Sequence, residues 1–192
     1  MAFLLCVDFC GYGVMRKLGS SVVSPLSGRY VFNQVQRIME EKSQLFLQQY
    51  LRTLPSEVSE KYTSFSSDYF CADEYNANLC ADLILRGEKR ASCSMEYWYS
   101  HESEVLPIVG HLQVVTNWNG EPICIIEITS VSSCRFNEVT EEFAASEGEG
   151  DKSLEWWRNA HWKFFSRECE DLGIEPSEDM LLVLEHFKVV YH

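Results

Sequence analysis

The run "HLQVVTNWNGEPICIIEITSV", His111 to Val131, restricts the fold more than any other stretch. Two segments rich in β-branched residues flank Asn117-Trp118-Asn119-Gly120, and Asn-Gly supplies the positive φ angles that a tight hairpin turn needs. The chain must therefore build a sheet. Two more strands are expected, one opening at "KRASCSM" after Gly87 and one at the closing "MLLVLEHFKVVY". Helices fill the intervals. From Lys42 to Leu54, residues Leu45, Leu47, Tyr50, Leu51 and Leu54 recur near helical spacing, and Pro55 ends the run. Asp73 caps a second helix through Arg86, with Leu79, Leu83 and Ile84 inward and Gly87 just past its end. Asn137 is the expected cap of a short helix. Asp151 is the expected cap of a long aromatic one from Ser153 to Leu172, closed by Gly173. "TSFSSDYFCADE" reads as a polar connecting segment. The order implies an α+β domain, a small mixed barrel with helices covering its openings.

Charge separates the chain into two parts. Residues 1–38 carry Arg16, Lys17, Arg29 and Arg37 against Asp8, a net of +3. The remaining 154 residues hold 12 basic and 28 acidic side chains, a net of -16. Such a body repels a polyphosphate, whose binding relies on Lys and Arg, so duplex DNA is excluded as a partner. A nucleoside or one splayed-out base of single-stranded RNA is compatible with it. The apolar start "MAFLLCVDFCGYGVM" is too short to span a bilayer and contains Asp8. It lacks the positive n-region and cleavage site of a signal peptide. Residues 1–38 are read as a peripheral extension, or an upstream mis-called start, and 39–192 as one domain beginning at Met39-Glu40-Glu41. A cytoplasmic protein without membrane contact, a monomer or weak homodimer, is expected.

Eight cysteines stand at positions 6, 10, 71, 80, 93, 124, 134 and 169. No pair in the body is spaced C-x-x-C and none lies near a histidine in a zinc-like pattern, so no metal or other cofactor is expected. Cys80 falls in a helical pattern, and Cys93 and Cys124 in strand-like ones, as small buried hydrophobes do in a reducing compartment. Free thiols are the expectation.

The stretch "LILRGEKRAS", Leu83 to Ser92, leaves a helix through Gly87 and enters a strand with Lys89 and Ser92 three positions apart. Strict alternation puts these two side chains on opposite faces, whereas a twist or bulge at the strand entry lets them converge. An ordinary surface turn with a solvated ion pair is the plain alternative.

These residues resemble the G-x-K-[TR]-x-[TS] signature of ASCH domains (activating signal cointegrator homology), members of the PUA-like barrels. "EEFAASEGEGDKSLEWWRNAHWKFF" resembles a second signature, found in a bacterial-type branch where an E-G-E-G-D loop precedes a W-x-x-x-H-x-x-F helix. "PIVG" and "VLEHFKVVY" fit as well, and the resemblance covers about residues 65–191. It implies a PUA-like β-barrel with covering helices. Similar small members are amidohydrolases that remove the acetyl group from N(4)-acetylcytidine; others are linked to RNA binding or ribonuclease action. Carried over by position, Lys89 matches the family lysine, Ser92 its threonine three residues on, and Glu147 its glutamate. Ser92 keeps the hydroxyl, and Arg90 adds charge where threonine is common. Glu141, Glu142 and Glu149 stand close to Glu147 as rival acids.

Amide hydrolysis needs a nucleophile, a base and donors for the developing oxyanion. Ser92 fits the first part. Lys89 is either its base, if burial lowers the ammonium pKa, or the oxyanion stabiliser, with Glu147 handling the proton. Lys89 is expected at a cleft mouth, where its removal leaves folding nearly intact. Arg90, Tyr97, Trp156, Trp157 and Arg158 are the candidate substrate-binding residues, with Trp156 or Trp157 offering a ring to a base and Arg158 paired with an acid of the Glu147–Asp151 loop. That loop is read as a flexible carrier of Glu147. His161 and Trp157, four apart, form an aromatic stripe of core type. The leading expectation is a hydrolase of a small modified nucleoside; the alternatives are a non-catalytic RNA or nucleotide reader and a ribonuclease.

Overall fold

The computed structural model describes residues 39–192 apart from Ala72, Glu102 and Ser103. The extension over residues 1–38, with Cys6 and Cys10, lies outside the described residues. Along the chain run α1 (Glu41–Thr53), α2 (Ser56–Ser59), β1 (Phe65–Asp68), α3 (Glu74–Leu85), β2 (Ala91–Met95) and α4 (Glu96–His101). There follow β3 (Leu112–Thr116), β4 (Pro122–Arg135), α5 (Glu141–Glu147), α6 (Leu154–Leu172) and β5 (Leu181–Tyr191). The strands form one mixed sheet in the order β1-β3-β4-β5-β2, parallel between β1 and β3 and antiparallel elsewhere. This is the α+β architecture that the sequence implies.

The hairpin forms where Asn-Gly places it. Asn117 N donates to Glu121 O at 2.9 Å, the Asn117 side chain accepts from the amides of Asn119 and Glu121, and Gly120 takes φ +78°. Its strands are buried on both faces. Leu112, Val114 and Ile125 face α1 through Leu47 and Tyr50, while Val115, Cys124 and Ile126 face α3 through Cys80, Ala81 and Ile84. The alternation follows from the two-residue period of a strand. β4 pairs with β3 through its first half and with β5 along its length, and register shifts at Ile125/Ile126 and Ile128/Ser130 bend it. A third apolar cluster joins β2, α4, α5, α6 and β5 around Trp157 and Phe165.

Several local expectations are corrected. "SFSSDYF" contains β1, whose hydroxyls find polar partners: Ser66, with Ser64 just before the strand, bonds the two ring nitrogens of His111, and Ser67 donates to Ser43. Leu45 is exposed, so the buried face of α1 runs through Ser43, Leu47 and Tyr50. Thr140 rather than Asn137 caps α5, its hydroxyl accepting from Phe143 N at 3.3 Å. Ser153 rather than Asp151 caps α6, its hydroxyl accepting from Trp156 N at 3.1 Å, while Asp151 accepts from Ser153 N. Residues after Met95 turn into α4 instead of prolonging the strand. Cys71, Cys80, Cys93, Cys124, Cys134 and Cys169 are free thiols, all buried but Cys134. Among the described residues no helix is long and apolar enough to cross a membrane.

Candidate active site

Asp73 caps α3 by accepting from Asn76 N, and the helix ends at Gly87, φ +71°. The amides of Glu88 and Lys89 both donate back to Leu83 O, at 2.9 and 3.1 Å. This closure turns the Lys89 side chain inward before β2 begins. Lys89 is 2% exposed, so it is not a cleft-mouth residue.

The loop after α5 meets it. Gly148 caps α5 with φ +73°, a left-handed conformation that costs an L-residue about 1–2 kcal/mol. A Cβ there would lie 2.3 Å from Glu88 O, so only glycine allows the two backbones to touch. Gly150 is covered in the same way by the Trp156 ring, 2.1 Å from its would-be Cβ. Arg90 N donates to Ser146 O at 2.8 Å, and the Lys152 ammonium bonds Glu88 at 2.9 Å. The E-G-E-G-D loop is therefore a close-packed clasp rather than a flexible carrier. Reversing at Gly148, it sets two carboxylates on one ammonium: Lys89 Nζ donates to Glu147 Oε2 at 2.9 Å and to Glu149 Oε1 at 2.6 Å.

Glu147, 2% exposed, is held from every side. Its Oε1 accepts the indole N–H of Trp157 at 3.1 Å and lies 3.6 Å from His161 Nε2. The His161 ring stacks on Trp157 with centroids 4.1 Å apart, and its Nδ1 lies 2.9 Å from Trp157 O. A carbonyl only accepts, so that nitrogen carries a proton. Burial pushes the Glu147 carboxyl up, but Lys89, His161 and the Trp157 hydrogen bond outweigh it and hold the group below the usual range. Burial likewise pushes the Lys89 ammonium down, and Glu147 and Glu149 overcome it, leaving Lys89 well above its ordinary value and charged. Burial, with Glu147 next to it, pushes the Cys93 thiol well up.

Phe70, Cys71, Ser92, Cys93 and His161 line a cleft with Lys89 and the two glutamates, whose enclosed space is about 10 Å³, room for about one water. Lys89 Nζ sits 5.9 Å from the centre of the Phe70 ring. Cys71 adopts φ +71°, and its Sγ lies 3.2 Å from that of Cys80. Cys93, Glu147 and His161 bring potential metal-binding atoms within 4.8 Å of one another, a cluster that positions 93, 147 and 161 do not announce in sequence. The Lys89 ammonium already neutralises Glu147 there, so a divalent cation would meet a fixed positive charge bonded to one of its ligands.

The fold thus brings Lys89, Ser92 and Glu147 to one cleft, with Ser92 on its lining. The other sequence candidates sit elsewhere. Arg90 is exposed, and its backbone bridges Ser146 and Phe187. Tyr97 lies on α4, stacked on His101 at 4.1 Å and packed on the core. Trp157 is 1% exposed, so its ring offers no platform to a base; it anchors Glu147 instead. Trp156 covers Gly150. Arg158 donates to Asn137 O at 3.2 Å rather than to an acid of the loop. His161, read as core, is buried and yet reaches the cleft. Of the rival acids Glu149 joins Glu147 on the lysine, and Phe70, Cys71 and Cys93 are the cleft members that sequence reasoning passed over. The E-G-E spacing is the signal for Glu149, since a left-handed glycine folds its two neighbours toward one point.

The ASCH domain model matches residues 66–191. The crystal structure of an ASCH domain from Lactobacillus crispatus JV V101 is 77% identical, covers 82% of this chain and 99% of its own, and superposes with a TM-score of 0.79. A crystal structure of a protein from Enterococcus faecalis V583 is 29% identical, covering 80% of this chain and 90% of its own, with a TM-score of 0.68. No functionally curated protein matches the chain. With the matched span containing every residue of the cleft, the chain belongs to the ASCH-domain family.

Proposed function

We propose that this protein hydrolyses the acyl-amide bond of a small modified nucleoside, with N(4)-acetylcytidine as the first substrate to test. The observation that carries the reading is a lysine, 2% exposed, paired with two carboxylates on the wall of a narrow cleft. An ammonium has three N–H donors, and Lys89 commits two to Glu147 and Glu149. The third is available for the oxygen on which negative charge develops when an acyl carbon is attacked. Two carboxylates favour the charged form, which supports this part for Lys89 over that of a base. Ser92 Oγ has no hydrogen-bonded base among the described residues, so we assign the attack to water, which the Ser92 hydroxyl orients at the cleft wall. The acidic cleft and body suit a neutral nucleoside better than RNA.

Incubation with a panel of N-acylated nucleosides, read by chromatography for the free amine, tests the reading. Turnover of N(4)-acetylcytidine to cytidine is the expected result. No product from any member of the panel, together with salt-sensitive binding of structured RNA in gel shifts, would replace it with a non-catalytic reader.

A further inference from the structure

The two carboxylates on Lys89 are not equivalent. Glu147 has both oxygens engaged, one by Lys89 and one by Trp157, and its side chain is 2% exposed. Each Glu147 oxygen thus already has a partner, and its side chain is closed to bulk water. Glu149 engages Lys89 through Oε1 alone, its side chain is 20% exposed, and it lines the cleft. Its Oε2 makes no hydrogen bond among the described residues. Only Glu149 combines access to water with a fixed place beside the charge that would stabilise an oxyanion.

We infer that Glu149, rather than Glu147, is the proton-carrying catalytic residue, and that Glu147 is the buried counter-ion that positions Lys89. The inference rests on the hydrolase reading. Glu149 Oε2 takes a proton from the attacking water as the new C–O bond forms and the carbonyl π pair moves onto oxygen, facing Lys89. When the C–N bond breaks, the same proton passes from Glu149 to the departing nitrogen. A carboxylic acid and a free amine leave, and Glu149 is again a carboxylate. Trp157 and His161 are positioning residues that act through Glu147 Oε1, which accepts the indole N–H and lies 3.6 Å from His161 Nε2.

The test compares kcat/KM and thermal stability for Glu149→Gln, Glu149→Ala and Glu147→Gln, with N(4)-acetylcytidine as substrate, in the presence and absence of formate. Glutamine keeps the size of Glu149 and an acceptor for Lys89 but cannot carry the proton, so Glu149→Gln is expected to lose about 10²–10⁴-fold while melting near the unsubstituted protein. Formate, a small carboxylate with access to the cleft, is expected to restore Glu149→Ala by about tenfold or more. Glu147→Gln is expected to melt earlier and to gain nothing from formate, because its site is closed to solvent. Activity of Glu149→Gln within about threefold of the unsubstituted protein, or equal formate rescue at the two positions, overturns the assignment. If the unsubstituted protein turns over nothing, the hydrolase reading fails, and this role fails with it for a separately visible reason.

Discussion

Replacing Gly148 by alanine tests whether the clasp around Lys89 depends on close backbone approach or only on a left-handed turn. Gly148 and Gly87 have almost the same φ, +73° and +71°, so an alanine pays a similar conformational cost at each, about 1–2 kcal/mol. Their surroundings differ completely. A Cβ at Gly87 meets nothing within 4 Å, while one at Gly148 lies 2.3 Å from Glu88 O, 2.6 Å from Glu88 C and 2.9 Å from Lys89 N. All three are backbone atoms, which cannot swing aside as a side chain does. Relieving such a contact adds about 1–3 kcal/mol, the usual cost of overpacking. Gly87→Ala is therefore expected to lose about 1–2 kcal/mol and Gly148→Ala about 2–5. At roughly 2–4 °C per kcal/mol for a domain of this size, Gly148→Ala should melt about 2–12 °C below Gly87→Ala. Thermal unfolding followed by tryptophan fluorescence measures both. Because the displaced segment carries Lys89, the hydrolysis proposed for this cleft should also be lost in Gly148→Ala and mostly kept in Gly87→Ala. Equal melting temperatures for the two variants would refute the close-approach reasoning.

Other expectations follow from the buried charges. Lys89→Met leaves Glu147 enclosed without its counter-ion and should cost about 3–5 kcal/mol in denaturant unfolding; this reverses the sequence-based expectation that removing Lys89 spares the fold. Trp157→Phe removes the indole donor to Glu147 and should cost about 1.5–3 kcal/mol, the worth of a hydrogen bond to a charged group. Glu168 is pushed up to about 8, by burial first and then by Asp171. A carboxyl whose folded pKa is raised destabilises increasingly as pH climbs from its unfolded value near 4.5 toward 8, so Glu168→Gln should gain stability over the parent through that window and gain nothing below it. Glu147 has the opposite sign: its folded pKa is depressed, and its contribution is present above pH 4.5 and lost as pH falls through the folded value. Unfolding curves at stepped pH should separate the two slopes.

What the sequence disclosed was local chemistry with one structural solution. Asn-Gly at the hairpin, Asp73 before α3 and Gly87 after it each satisfy a backbone need within a few residues, and each sits where expected. β1 escaped because its four residues, Phe65–Asp68, alternate no apolar face; they become a strand only by pairing in parallel with β3, more than forty residues away. α4 escaped because Tyr97 and Trp98 have strand-like propensity, overridden by packing of Trp98 against Phe164 and Phe165. In the cleft, Lys89, Ser92 and Glu147 were legible through the paired motifs. Which of the neighbouring acids meets Lys89, and the true part of Trp157, were not, since both depend on how the glycine clasp folds back.

The pairing of β2 has a consequence for biosynthesis. β2 carries Ser92 and Cys93, and its sheet partner is β5, Leu181–Tyr191. At translation rates of roughly 5–20 residues per second, about 5–20 s separate the synthesis of Lys89 from that of Tyr191. Throughout that interval β2 lacks the strand it pairs with. The hairpin can close early on the ribosome, but the cleft wall that carries Ser92 and Cys93 gains its sheet partner only when the final strand docks. A nascent chain arrested before residue 181 should hold a folded turn at Asn119-Gly120 and an unassembled cleft.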